Sequence, residues 1–221
     1  YGLNLEALEH IISDGASLVI TVDCGISSYD IVKAVCDRID IIITDHHTAP
    51  PQIPPARAVI NHKQPDCPYT DKNLSGVGVA FKVCQALWKR RTGEEYREDL
   101  DIVALGTVAD VVPLVGENRI IVREGLKKMT EAPNVGIQAL VQVAGLEGKA
   151  LSAGHIGFTL APRLNAAGRV THATRAVELL ITTDPAEATD IAEELQETNT
   201  ERQQIERAIF EEAYQSVLAQ G

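Results

Sequence analysis

Aromatic residues are scarce in this chain of 221 residues, which has one Trp, three Phe and five Tyr, 4% in all. Base stacking on exposed rings, common among single-strand binders, is therefore poorly provided for. Cysteine is sparse too: Cys24, Cys36, Cys67 and Cys84 show no paired short spacing. That argues against a disulfide framework or a CxxC zinc site, suits a reducing cytosol, and predicts ordinary buried thiols. No apolar run approaches the roughly 18 residues of a membrane span, and no low-complexity tract occurs. Basic residues are in deficit, with 20 Lys+Arg against 31 Asp+Glu and a net charge of −11. At face value this speaks against nucleic acid, whose phosphates need local cations.

What is present changes that reading. From Asp184 onward there are 10 acidic and 2 basic residues, whereas the first 183 residues hold 21 acidic and 18 basic. Most of the negative charge thus belongs to the last segment. The 45% of hydrophobic residues suffices for one large core or two smaller ones in a soluble globular protein. The only Met is Met129 and the chain opens at Tyr1 in running sequence, so it reads as a piece of a longer protein.

The periodicity predicts an α/β fold. Residues 4–14 have helical spacing behind Asn4 as N-cap. Two apolar runs of strand length follow, 17–22 and 39–44, separated by a helical segment over 29–37. A third short strand spans 58–60. Strand, helix and strand at this spacing imply right-handed crossovers and a parallel sheet covered on both faces. Beyond residue 75 the apolar segments have helical length: 77–91, 98–112, 118–129, 135–143, 155–160 and 173–181, with Trp88 expected in the core. The last segment begins Asp184-Pro185-Ala186-Glu187, an N-cap, a first-position Pro and a Glu three residues after the cap. About 36 residues can then form one helix of roughly 54 Å. The expected organisation is an α/β part over 1–74, a helical remainder over 75–183 and a long acidic connector helix over 184–221.

Both apolar strands end in Asp at the edge where α/β sheets bind ligands: Asp23 after the first and Asp45 after the second, the latter followed by His46 and His47. Carboxylates and imidazoles gathered there suit Mn²⁺, Fe²⁺ or Zn²⁺, and the carboxylates also accept Mg²⁺. Turn capping by the two Asp is the competing role. The stretch Pro162-Arg163-Leu164-Asn165-Ala166-Ala167-Gly168-Arg169 reads as a loop in which two Arg could clamp a phosphate or hold carboxylates of neighbouring helices. Asn61-His62, at the end of the third strand, fits a supporting role or a loop cap. His155 and His172 are isolated and suit local hydrogen bonds.

Asp45-His46-His47, together with Val22-Asp23-Cys24-Gly25 and the run Gly106-Thr107-Val108-Ala109-Asp110-Val111-Val112-Pro113-Leu114, resembles the DHH phosphoesterase superfamily. Leu74-Ser75-Gly76-Val77-Gly78-Val79-Ala80-Phe81, Gly116-Glu117-Asn118-Arg119 and the 162–169 stretch are similar to its RecJ branch of single-strand-specific DNA exonucleases. The resemblance implies 5′ to 3′ hydrolysis of single-stranded DNA in recombination and repair, with two divalent ions, Mn²⁺ or Mg²⁺. It implies Asp23, His46 and Asp110 as metal ligands, with Asp45 holding His46 and His47 facing the scissile phosphate. Arg163, Asn165 and Arg169 would contact substrate, and single-strand-binding protein and a helicase would be partners. A first Asp-rich motif is expected upstream of Tyr1 and a further domain after Gly221. The chain alone is therefore expected to hold a partial metal site and to be inactive or impaired. A DHH phosphodiesterase of short oligonucleotides or cyclic dinucleotides, and a non-catalytic replication scaffold, are the alternatives.

Overall fold

The computed structural model describes residues 2–131, 133–170 and 173–220, without the side chains of residues 169, 170, 219 and 220. It divides into two compact units, residues 1–123 and 124–221.

The first unit opens with α1 (Leu5–Ser13), whose N-cap Asn4 accepts from the Ala7 N–H. Then come β1 (Leu18–Val22), α2 (Tyr29–Val35), β2 (Asp40–Thr44) and β3 (Ala58–Ile60). The three strands form a parallel sheet in the order β1-β2-β3, with Val22 opposite Thr44 and Thr44 opposite Ile60. Their carboxyl ends therefore finish level. On one face, Ile41 and Ile43 pack with Leu8, Val32, Val35 and Ile39 from α1, α2 and the turn before β2. The expected cover on both faces is incomplete. Leu18, Ile20 and Val22 of β1 are 46%, 50% and 60% exposed, because β1 is an edge strand and its outer residues have no helix laid over their full length.

Three helices continue the unit: α3 (Gly76–Thr92), α4 (Leu100–Ala109) and α5 (Gly116–Glu131), the unit boundary falling within the last. Leu74, Val79, Phe81, Val103 and Ile121 make a second core cluster. Trp88 is not in it. At 41% exposed it lies near the end of α3 against Tyr96, where the helix has run past the sheet. Asp71 accepts from the Glu117 N–H at the start of α5, and Gly116 turns there at φ +50. None of the four thiols is fully buried: three are half-buried and Cys84 is exposed.

The second unit holds α6 (Val135–Val143), α7 (Ala153–His155), a π-helical turn (Ile156–Leu160), α8 (Ala161–Val170), α9 (Thr174–Ile181) and α10 (Pro185–Gln220). The stretch read as a loop is helical. A π-turn immediately upstream accommodates Pro162, which lacks an N–H for the regular ladder, and Ala166 and Ala167 are fully buried packing residues. Helix α10 has the 36 residues expected, and Asp184 Oδ1 caps it through the Ala186 N–H. Its first half is core: Ile191 and Leu195 are buried beside α6 and α8. Ile205 and Ile209 further along are 48% and 60% exposed. Among the described residues no helix is long and apolar enough to cross a membrane.

Candidate metal centre

The site begins with the two strand ends. Thr44 Oγ donates to the Thr21 carbonyl at 2.7 Å, and Thr21 Oγ donates to the Cys24 carbonyl at 2.7 Å. The Asp23 N–H continues the ladder to the Thr44 carbonyl at 2.9 Å, and the Asp45 N–H does the same to Ile60 at 3.1 Å. These bonds fix Asp23 in the left-handed region at φ 61, which Asp tolerates better than most side chains. Gly25, at φ 111, completes the reversal.

Asp45 is 1% exposed and acts as an acceptor hub. Its Oδ2 accepts from the Ile26 N–H at 2.9 Å. Oδ1 accepts from the His46 N–H at 2.7 Å and the His47 N–H at 3.1 Å, and meets His47 Nδ1 at 2.7 Å. Burial alone would push its carboxyl up, but these donors hold it below the usual carboxylate range. The ring that Asp45 grips is that of His47; His46 is held by its backbone. The reason is geometric, since His46 points from the strand end toward Asp23 while His47 folds back over the carboxylate. Asn61 supports the same loop, donating from Nδ2 to the His47 carbonyl at 2.9 Å while its Oδ1 caps Lys63 N–H at 2.7 Å. Both roles considered for Asn61 are therefore filled. His62 beside it is 5% exposed, with both ring nitrogens unpartnered and its imidazole pushed down by burial.

His46 is the centre of the cluster. Its Nε2 lies 3.1 Å from Asp23 Oδ1 and 3.4 Å from Asp110 Oδ2. Yet neither contact has hydrogen-bond direction, and both ring nitrogens are buried without such a partner. Donor atoms that converge on a common point without bonding each other are arranged as metal ligands are. One ligand atom each from Asp23, His46 and His47 also fall within 4.8 Å of one another. His47 is thus within reach of the same ion, while Asp110 is tied in through His46.

Asp110 caps the C-terminal end of α4, and Val111 after it is left-handed at φ 59 and 87% exposed. The facing Asp23 carboxylate pushes the His46 imidazole up against the effect of burial, with Asp110 adding to it. Burial pushes the Asp110 carboxyl up, which His46 opposes and Asp23 reinforces. The His46 shift expresses negative charge gathered at one spot, to which Asp23 and Asp110 both contribute and which a divalent cation neutralises. The residues fit a metal by this test. Cys24 is no nucleophile here, because burial and the Asp45 and Asp23 charges push its thiol up.

In the second unit, Arg163 donates from Nε to Gln196 Oε1 at 2.7 Å and from Nη1 to the Thr159 carbonyl. Asn165 is exposed, and the Arg169 side chain and His172 lie outside the described residues. The threonine struts Thr21 and Thr44 and the Ile26 N–H were not anticipated. A Thr one or two residues before each strand-end Asp is the only sequence sign of them.

A parallel sheet with carboxylates and imidazoles at its carboxyl edge, faced by a carboxylate from the end of a following helix, forms a candidate metal centre. Residues 3–107 match the DHH family, N-terminal domain. More particularly, the chain is 42% identical over 222 residues to the single-stranded-DNA-specific exonuclease RecJ of Bacillus subtilis (strain 168), covering 100% of this chain and 28% of that protein. It is 41% identical over 226 residues to RecJ of Escherichia coli (strain K12), covering 96% of this chain and 39% of that protein. The crystal structure of exonuclease RecJ bound to manganese matches with a TM-score of 0.87 at 35% identity, covering 96% of this chain and 54% of that one. RecJ from Thermus thermophilus in complex with Mn²⁺ matches at 0.84 and 34% identity, covering 95% and 31%. The chain therefore spans well under half the length of the curated relatives named.

Proposed function

We propose that this chain is the metal-binding catalytic part of a single-stranded-DNA-specific exonuclease that hydrolyses phosphodiester bonds with Mn²⁺ or Mg²⁺. The observation that carries this is the meeting of the Asp23 and Asp110 carboxylates, from the ends of β1 and α4, at the buried His46 Nε2, 3.1 and 3.4 Å away, with His47 close to Asp23 and His46. Bound divalent ions would supply an activated water and neutralise charge on the phosphoryl oxygens. Asp23, His46 and Asp110 would hold them, with His47 in reach. Asp45, ionised, accepts the Nδ1–H of His47, so Nε2 is the free nitrogen; as a neutral ring it would accept a proton there, and as an imidazolium it would donate to a phosphate oxygen or give its proton to the leaving oxygen. The 57% exposure of the His47 side chain gives substrate access to it.

Arg163, Asn165 and Arg169 serve in this reading as phosphate contacts of the second unit, and the exposed second half of α10 as a connector to a further domain. The 5′ to 3′ direction, a role in recombination and repair, and single-strand-binding protein and a helicase as partners follow from the family resemblance.

The test is a Mn²⁺ titration of the 221-residue chain by electron paramagnetic resonance. The parent should bind Mn²⁺, and Asp23→Ala and Asp110→Ala should each weaken binding by roughly 100-fold or more, beyond the range of losses known for supporting residues. Two ions need more carboxylates than this donor set offers, so the chain alone should digest 5′-labelled single-stranded DNA slowly or not at all. Equal Mn²⁺ binding by parent and both variants would refute the metal centre.

A further inference from the structure

The motif Leu74-Ser75-Gly76-Val77-Gly78 plays no part in the chemistry above, yet it opens α3 against the metal centre. Ser75 is the N-cap, accepting from the Gly78 N–H and sharing a 2.9 Å hydrogen bond with Thr107 Oγ. Gly76, the first helical residue, is buried, and its N–H helps to hold down the Asp110 carboxyl against the effect of burial. A Cβ added at Gly76 would overlap Asp23 Oδ1 and Cγ and lie 2.6 Å from Asp23 Cβ. Asp23 cannot retreat by a rotamer change, because its own Cβ is among the atoms met. That Cβ is held by a left-handed backbone whose N–H is bonded to Thr44. The neighbouring glycines behave differently. A Cβ at Gly78 would meet Ser75 Oγ at 3.1 Å, and one at Gly106 would meet Val77 Cγ1 at 2.9 Å; both concern the seating of α3 and neither touches a carboxylate.

We infer that Gly76 is a positioning residue of the metal centre: its missing side chain leaves the room in which the Asp23 carboxylate sits against the first turn of α3. This rests on the reading of Asp23 and Asp110 as ligands. The start of a helix suits the task, since its free N–H groups and positive dipole end favour anions. Only a residue without Cβ lets a second carboxylate lie flat against that first turn.

The experiment compares Gly76→Ala with Gly106→Ala in the 221-residue chain, measuring Mn²⁺ affinity and the thermal midpoint in chelator. Gly76→Ala should raise the Mn²⁺ dissociation constant at least tenfold. Gly106→Ala, which crowds the contact between α3 and α4, should lower the midpoint and leave the constant within twofold of the parent. Affinity within twofold of the parent in Gly76→Ala overturns the inference. If Gly76→Ala does not fold, or if the parent binds no Mn²⁺ and the ligand reading falls on its own, the seating of Asp23 is decided by stability. Asp23→Gly removes all three atoms that the new Cβ meets and suits φ 61. It should restore or raise the midpoint of Gly76→Ala by more than it changes that of the parent, and an equal effect in both backgrounds overturns the inference.

Discussion

Asp45→Asn exchanges one oxygen of the buried acceptor hub for an amide nitrogen, and its cost follows from counting donors. In the parent, one carboxylate oxygen serves the Ile26 N–H and the other serves two backbone N–H groups and the His47 ring. Asn has a single acceptor. If its oxygen faces His46 and His47, its NH₂ confronts the Ile26 N–H, leaving two donors unpaired in a place that is 1% exposed. The opposite orientation strands four by the same count, so the first is adopted. An unsatisfied buried donor costs about 1–3 kcal/mol, which puts the loss for two at about 2–6 kcal/mol. For a unit of this size that corresponds to a fall of about 10 °C or more in the thermal midpoint. The pH dependence has a definite sign. A carboxyl held below its ordinary value contributes stability above that value and loses it as pH falls through the folded one. The gap between parent and Asp45→Asn should therefore be full near neutral pH and close in acid below the ordinary carboxylate range. Thermal unfolding of both proteins by circular dichroism in chelator, from about pH 7 down to about pH 3, measures it. A midpoint within about 1 °C of the parent at neutral pH, or a gap that widens in acid, would refute the acceptor-hub argument.

Gly136→Ala should destabilise the second unit by about 3 kcal/mol or more, because its Cβ would overlap the Leu179 carbonyl where Asn134 Nδ2 already ties α6 to Leu180; urea unfolding measures it, and a loss under about 1 kcal/mol would contradict this packing. Arg163→Ala should weaken single-stranded DNA binding uniformly over sequence and reduce the salt slope by about 1. Gln196→Ala, which removes the partner of Nε but keeps the charge, should leave the slope unchanged. Equal slopes in parent and Arg163→Ala would assign the arginine to the joint between α8 and α10.

The parts of the fold that were legible are those where one local signal acts alone. β2 stands out because a buried parallel strand is a continuous apolar run, β1 because its run is apolar too although its outer residues are exposed, and α10 because its cap, first-position Pro and lack of later breakers agree over 36 residues. The strand-end carboxylates were legible for the same reason, since packing gives no cause for an Asp there. What escaped depends on the neighbours of a residue. Pro162 and Gly168 read as loop punctuation, but the π-turn and two buried alanines make that stretch a helix. Helix α4 stops at Ala109 rather than Val112 because Val111 turns left-handed, and nothing in a β-branched residue announces that. The grip of Asp45 on the His47 ring rather than that of His46 depends on side-chain direction at the strand end, which spacing does not encode.

The centre gathers several local costs at one place. Val111 holds a β-branched residue at positive φ, where a non-glycine residue costs about 1–2 kcal/mol. Asp23 shares that region at a smaller cost. Asp110 sets a carboxylate at the C-terminal end of α4, where the helix dipole disfavours an anion by about 0.3–1 kcal/mol, and it faces a second carboxylate across His46. Each would be relieved by a small change, Gly at 111 or Asn at 110, and the surrounding packing does not require the residues found. Strain of this kind is retained where a ligand geometry needs it. A cation present at about 100 times its dissociation constant stabilises the folded state by about 2.7 kcal/mol, the same order as the costs it offsets. On the proposed reading, a cation held by Asp23, His46 and Asp110 would offset these costs at the sheet edge and the end of α4.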